Sequence, residues 1–305
     1  MAAQLAVALA AASAVISVLL VPGARSASQT RGQIAFTRAD GGIYAMRADG
    51  RGKHLLWRSG EVIPWEIAWS PNGRKLAVIA PGRRVTGSGL WVVNADGSGA
   101  VRLAGGMQAI RRPTWSPDGR RIAFTDFAAD RRGIWVINAT GGELRRLVDS
   151  PLPWVMDVDW SPVGNRITFA AGHSGWQAHV YVMNTDGSNL RDVTPGRSFD
   201  AYEPDWSPDG RRILFMRWKG DEGSSEIYVV NADGRSLRPL TYNGVSERSP
   251  AWSPDGRRIA FVRGALADHT AEIYVMNADG THARRLTRNR VNEMSPTWQP
   301  RAQRR

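Results

Sequence analysis

The chain has 305 residues, 13 tryptophans, no cysteine and a formal net charge of +12. The lack of cysteine excludes disulfides, thiolate metal sites, a cysteine nucleophile and a lipidated N-terminal cysteine. Length alone would allow two domains, but the chain is organised by a repeat, and a repeat overrides that rule.

The chain begins with an uncharged run of Ala, Val, Leu, Ile and Ser from Leu5 to Val21, broken by Pro22-Gly23. The run is marginal for a membrane-spanning helix, which needs about 20 apolar residues. Ala24-Arg25-Ser26 places small residues where signal peptidase reads them, so residues 1–26 are predicted to be a signal peptide with Ala27 as the new N-terminus. An uncleaved membrane anchor is the rival reading, since the segment before the run carries no Lys or Arg. Both readings put residues 27–305 outside the cytoplasm.

The repeat follows. Pro250-Ala-Trp-Ser-Pro-Asp-Gly-Arg-Arg-Ile-Ala-Phe261 shows it in full, and its tryptophan recurs as Trp69, Trp115, Trp160, Trp206, Trp252 and Trp298. Each period divides into four short strand-like pieces with no helical one. In the period of Trp206 these are Glu203–Trp206, Arg212–Met216, Glu226–Val230 and Leu237–Thr241. Ser-Pro-Asp-Gly and Asn-Ala-Asp-Gly join the first piece to the second and the third to the fourth. Proline presets the dihedral of the second turn position, and glycine takes the positive-φ site. Four antiparallel strands of this kind form a propeller blade.

The ends predict closure. The second-strand pattern starts with Ile34-Ala-Phe36, but the tryptophan strand expected nine residues earlier is absent, with Ala27 in its place. An orphan, Pro296-Thr-Trp-Gln-Pro300, stands at the C-terminal end instead. The prediction is an all-β, six-bladed propeller whose C-terminal strand completes the first blade, because a closed ring leaves no exposed sheet edges.

The motif Trp-Ser-Pro-Asp-Gly, followed by Ile-Tyr-Val-Met-Asn-Ala-Asp-Gly and Arg-Arg-Leu-Thr, resembles the WD-like propeller repeat of the TolB family, across about residues 31–300. The resemblance implies the propeller fold and an envelope setting. It extends also to propellers attached to peptidases. TolB carries an α/β domain before its propeller and propeller peptidases carry a hydrolase domain. Residues 27–31 leave no room for the first, and the second has no counterpart, so neither specific function follows.

Function is sought where the repeat varies. Three residues before each tryptophan stand Glu66, Arg112, Asp157, Glu203, Ser249 and Ser295, while Glu247 and Glu293 stand five before theirs. An innermost first strand would gather these at one mouth of the central channel. There they would form either a carboxylate cluster for a cation or an ammonium group, or a hydrated lining with local partners such as Arg112. The loops between second and third strands hold His173, Trp176 and Trp218, with His179 and His269 beside them; the aromatics would stack on sugars, grip a peptide or cover a blade edge. The opposite face is monotonous, with arginines at every turn. It is either a docking surface for an acidic partner or a set of solvated cations.

No G-x-S-x-G elbow, H-E-x-x-H, phosphate loop or dinucleotide fingerprint is present. No catalytic residue, metal ligand or cofactor is assigned. The expectation is a monomeric, exported, non-catalytic scaffold that takes an envelope protein or a cell-wall glycan on its variable loops. Nucleic acid is excluded as a partner, and membrane contact is confined to an uncleaved N-terminal segment. The alternative is a polysaccharide- or peptide-cleaving propeller that uses the channel-mouth carboxylates.

Overall fold

The computed structural model describes residues 32–60, 62–81, 87–107, 109–128, 132–148, 152, 154–172, 177–196, 200–220 and 224–300. The expected signal segment 1–26, His173 and Trp176 lie outside these residues.

Six four-stranded antiparallel sheets form the blades of a ring. The tryptophan strand is innermost in each: Glu66–Trp69, Ile110–Trp115, Trp154–Trp160, Asp200–Trp206 and Glu247–Trp252 in blades 2 to 6, and Glu293–Trp298 in blade 1. Each inner strand contacts the next around the circle, and Glu293–Trp298 meets Glu66–Trp69. The ring is therefore closed. Blade 5 shows the pattern in sequence order from inside to outside: Asp200–Trp206, Arg212–Trp218, Ser225–Asn231 and Arg238–Pro239.

Closure takes place as the orphan tryptophan predicts. The C-terminal strand Glu293–Trp298 pairs with Gln33–Arg38, with Ile34 opposite Trp298 and Arg38 opposite Glu293. The Gln299 amide donates to the Gln33 carbonyl, and its side chain donates to the Gly73 carbonyl of blade 2 at 2.8 Å.

The core lies in the seams. Each apolar cluster draws on two adjacent blades; one joins Ala77, Ile79 and Leu90 of blade 2 to Trp115, Ile122 and Phe124 of blade 3. The last seam, between blades 6 and 1, is filled by Ile34, Phe36, Val262, Ile273 and Trp298. Phe36, Phe124, Phe169, Phe215 and Phe261, the aromatic of each second-strand motif that has one, are fully buried. Each such ring contributes about 2–3 kcal/mol of burial, and Phe36, Phe169 and Phe215 stack on the third-strand tyrosine beside them.

The turns are closed by their own side chains. The Ser116 hydroxyl donates to the Asp118 carboxylate at 2.6 Å, which also accepts the Arg120 amide, while the Arg121 amide donates back to Ser116. The same set recurs at Ser207–Arg212 and Ser253–Arg258. In the other turn, Gly97 (φ +85) lies so close to the Leu56 carbonyl of the preceding blade that a Cβ would collide with it. Only glycine satisfies both demands there.

In four of the first turns the arginine that opens the second strand closes a seam. Arg121 lies over Trp160, Arg166 over Trp206, Arg212 over Trp252 and Arg258 over Trp298, with guanidinium-to-ring distances of 4.6–5.2 Å. Part of the basic face is thus a set of cation–π contacts between blades. The first basic residues, Arg74, Arg120, Arg211 and Arg257, remain exposed.

Candidate functional site

Five of the six inner strands bulge three residues before the tryptophan, the exception being Glu66–Trp69. Arg112, Asp157, Glu203, Ser249 and Ser295 all adopt positive φ, between 48° and 56°, and the ladder register shifts beside each. Non-glycine residues rarely take this conformation, and a bulge re-aims the side chain it carries. Here the side chains turn along the ring toward the next blade. Glu66 accepts the Arg112 amide, Asp157 accepts the Glu203 amide at 3.1 Å, and Glu203 accepts the Ser249 amide. Ser295 donates to the Trp65 carbonyl at 2.9 Å.

The consequence is electrostatic: Arg112 is the cation around which these carboxylates gather. Its Nη2 reaches the Pro204 carbonyl, two blades away, at 3.4 Å. Burial alone would lower its pKa, but Glu203, Asp157 and Glu66 more than offset this and hold it charged. Burial pushes Asp157 up from 3.8 to about 6 despite the pull of Arg112. Glu66 is also raised by burial, against the pull of the Arg112 amide and guanidinium.

A second tier lies one residue before the tryptophans. Thr114, Asp159 and Asp205 accept the amides of Trp160, Trp206 and Trp252 at 2.8–3.0 Å. Asp159 is raised by burial, and Asp205 is raised well above the carboxylate range by burial and the neighbouring Asp159. The channel wall is therefore acidic, and its acids are already engaged with backbone amides.

Above this floor a cavity of about 610 Å³ opens on the loop side, across blades 2 to 5. Glu66, Asp157 and Glu203 line it together with Trp65, Arg111, Phe127, Met156, Tyr202 and Met216. Arg111 lies over the Trp65 ring at 5.2 Å and pairs with Glu66 at 3.6 Å. Tyr202 packs edge-on against Trp154, and burial with the charges of Asp200 and Asp157 pushes its hydroxyl up to about 12. Trp65, Arg111, Met156 and Tyr202 share one register position, four residues before the tryptophan, and escape a sequence reading that attends to charge alone. Aligning every position against the tryptophans would have exposed them.

The remaining predicted site residues lie elsewhere. Glu247 is fully buried and bound by Arg263 at 2.6 Å and by the Asn243 amide group; Glu293 is fully buried beside Lys53 and Asn289. Burial raises the pKa of both. Neither lines the cavity. Trp218 ends its strand at 37% exposure, outside the cavity. His179 pairs with Asp192 at 2.6 Å within blade 4, and His269 lies by Asn292. Among the described residues no group of three or more His, Cys, Asp or Glu is arranged to hold a metal ion.

A closed six-bladed ring with one lined, loop-side mouth defines a β-propeller of the kind that presents a binding surface. The TolB beta propeller domain family matches residues 78–267, and the chain belongs to it. Similar curated proteins include the uncharacterized peptidase YuxL of Bacillus subtilis, 36% identical over 81 residues, which are 26% of this chain and 12% of that protein. The Tol-Pal system protein TolB of Alcanivorax borkumensis is 34% identical over 87 residues, 28% of this chain and 20% of TolB. The matches thus span a fifth or less of those two proteins. Among solved structures, TolB from Acinetobacter baumannii superposes with a TM-score of 0.74 at 17% identity, over 88% of this chain and 67% of that one. A chain of the nidogen/laminin complex superposes with a TM-score of 0.71 at 11% identity, over 88% and 98%. At such identities the likeness is one of fold alone.

Proposed function

We propose that the chain is an exported, non-catalytic scaffold of the cell envelope that receives a segment of a protein partner in its loop-side mouth. One observation carries this reading: the 610 Å³ mouth cavity combines apolar and aromatic walls with an acidic floor. Concave, largely apolar sites with a few convergent polar groups suit the capture of a side chain or a short peptide stretch. Membership of the TolB beta propeller domain family supports a binding role and the envelope setting. A cleaving role finds less support. Asp157 and Glu203 each already accept an amide of the next blade and share the charge of Arg112. The described histidines His179 and His269 bind partners away from the mouth.

The reading is tested by retrieving partners from envelope extracts with the purified chain and with a Tyr202→Ala, Met216→Ala variant. A protein recovered by the first and lost by the second is the expected result. Turnover of a cell-wall glycan or a peptide by the purified chain, abolished by Asp157→Asn, would overturn it.

A further inference from the structure

The two faces of the ring differ in charge, and the chain enters and leaves the fold on only one of them. The inner strand of each blade runs toward the first turn, so Trp298 ends on the turn face. Gln33, paired beside it, begins there, and Gln299 fixes both to Gly73 in a blade 2 turn. Upstream of Gly32 the sequence holds the apolar run Leu5–Val21; downstream of Pro300 it reads Arg-Ala-Gln-Arg-Arg. Residues 22–31, fully extended, span at most about 35 Å.

On this same face each Ser-Pro-Asp-Gly turn spends one arginine on a tryptophan seam and leaves the other free. Arg120, Arg211 and Arg257 stand exposed next to a stacked neighbour. Arg191 and Arg211 also line an open basic hollow between blades 4 and 5. The turn aspartates Asp118 and Asp209 stay ionised beside these arginines and offset part of the charge, but the arginines outnumber them, with Arg120 and Arg121 against Asp118 and Arg211 and Arg212 against Asp209. An exposed arginine recurs at the same turn position in blades 2, 3, 5 and 6, as Arg74, Arg120, Arg211 and Arg257, so these guanidiniums stand at one level of the face. A broad, level set of cations matches an extended anionic surface better than a compact ligand. The acidic mouth faces the other way.

We propose that the turn face docks on an anionic membrane surface, with the lipid phosphates as its ligand and the mouth held outward. Among the described residues no helix is long and apolar enough to cross a membrane, so the contact made by the ring is superficial. Where the apolar run is retained, it tethers the ring with its basic face toward the bilayer; where it is removed, the same face binds reversibly. The inference is independent of what the mouth receives.

The test compares the full-length chain with an Arg120→Ser, Arg211→Ser, Arg257→Ser variant, both shown to be folded by their thermal midpoints. Each is added to neutral phosphatidylcholine vesicles and to vesicles containing phosphatidylglycerol. An arginine near an anionic surface strengthens partition by about fivefold, so the variant should bind anionic vesicles about a hundredfold less tightly. Its partition into neutral vesicles, which reads the apolar run alone, should match that of the parent. Equal binding of parent and variant to anionic vesicles would overturn the proposal. Orientation provides a second readout, and a chain without cysteine allows clean labelling. A dye on Thr140→Cys, in an exposed turn of this face, should be quenched by spin-labelled lipid, whereas a dye on Ala267→Cys, on the loop side, should not. Quenching at residue 267, or at neither position, would count against it. So would binding to soluble polyphosphate as tight per phosphate as to the vesicle, which would assign the face to a linear polyanion.

Discussion

Two kinds of contact hold neighbouring blades together, and they differ in how strictly they repeat. On the turn side the contact is the same in four seams: Arg121, Arg166, Arg212 and Arg258 each lie over the next blade's tryptophan. At the mouth, residues of the equivalent position do the joining, yet their chemistry runs from Glu66 through Arg112, Asp157 and Glu203 to Ser249 and Ser295. Five of the six strands bulge at this position, and Glu66, Asp157 and Glu203 accept the amide of the next blade, whereas Arg112 and Ser295 donate to carbonyls instead. Carboxylates, a guanidinium and hydroxyls are all accommodated there by different contacts, so the position is free to vary, and the variation gathers where a ligand would meet the ring. The turn-side seam varies less, with the same arginine-on-tryptophan contact in those four seams.

The largest effect is expected where both kinds of contact are lost together. Deleting residues 296–305 removes Trp298, its Arg258 stack and the strand that completes blade 1. Trp298→Ala alone should cost about 3–5 kcal/mol, and the deletion should exceed it in thermal unfolding. A midpoint no lower than that of a comparable deletion in the 264–270 loop would break the comparison.

Next comes Arg112→Met, which leaves Glu66, Asp157 and Glu203 without their shared cation. A loss of about 3–5 kcal/mol is expected at pH 7. The loss should shrink at pH 5, where the carboxyls take up protons, as followed by denaturant unfolding at both values. An equal loss at the two pH values would mean that Arg112 acts by packing alone.

Asp157→Asn sharpens the same point from the other side. The folded carboxyl titrates near 6, above its ordinary value of 3.8. The folded state therefore holds this proton more tightly, and the stability it brings is complete below pH 4 and is lost as pH rises through 6. The variant keeps an acceptor for the Glu203 amide but cannot ionise. Its stability should fall less than that of the parent between pH 4 and 7, by up to about 3 kcal/mol. Parallel pH profiles would refute the assignment.

The smallest effects separate the two arginines of one turn. Arg212→Ala, which loses the Trp252 stack, should cost about 0.5–2 kcal/mol, while Arg211→Ala next to it should stay within about 0.5 kcal/mol. Equal costs for the pair would deny the stacked arginine its role in the seam.

The fold was legible because every blade states the same local rules. Trp, the Ser-Pro-Asp-Gly turn and the Ile-x-Phe strand each have a single place in a blade, and the missing first tryptophan with the orphan Trp298 announces the closure. The mouth was legible only in part. Spacing brought Glu66, Arg112, Asp157 and Glu203 together, since inner strands converge. It could not separate Glu247 and Glu293 from them, because that depends on Arg263, Lys53 and the asparagines that bind these acids from outer strands and loops. Spacing also sets Met156 and Tyr202 in register with Trp65 and Arg111, but their apolar character reads as core until the bulge beside them is known.

The joint between Gln33–Arg38 and Glu293–Trp298 sets an order of events. Thr37 meets the Met294 carbonyl across 257 positions of sequence. While the chain is being made, the first blade keeps a bare sheet edge until the last strand arrives, and bare edges recruit strays. Contacts this distant in sequence also form slowly. The same joint is the place where the finished ring would part under load: both ends leave on one side, so tension applied between them peels one short strand from its neighbour, pair by pair, instead of straining the whole circle at once.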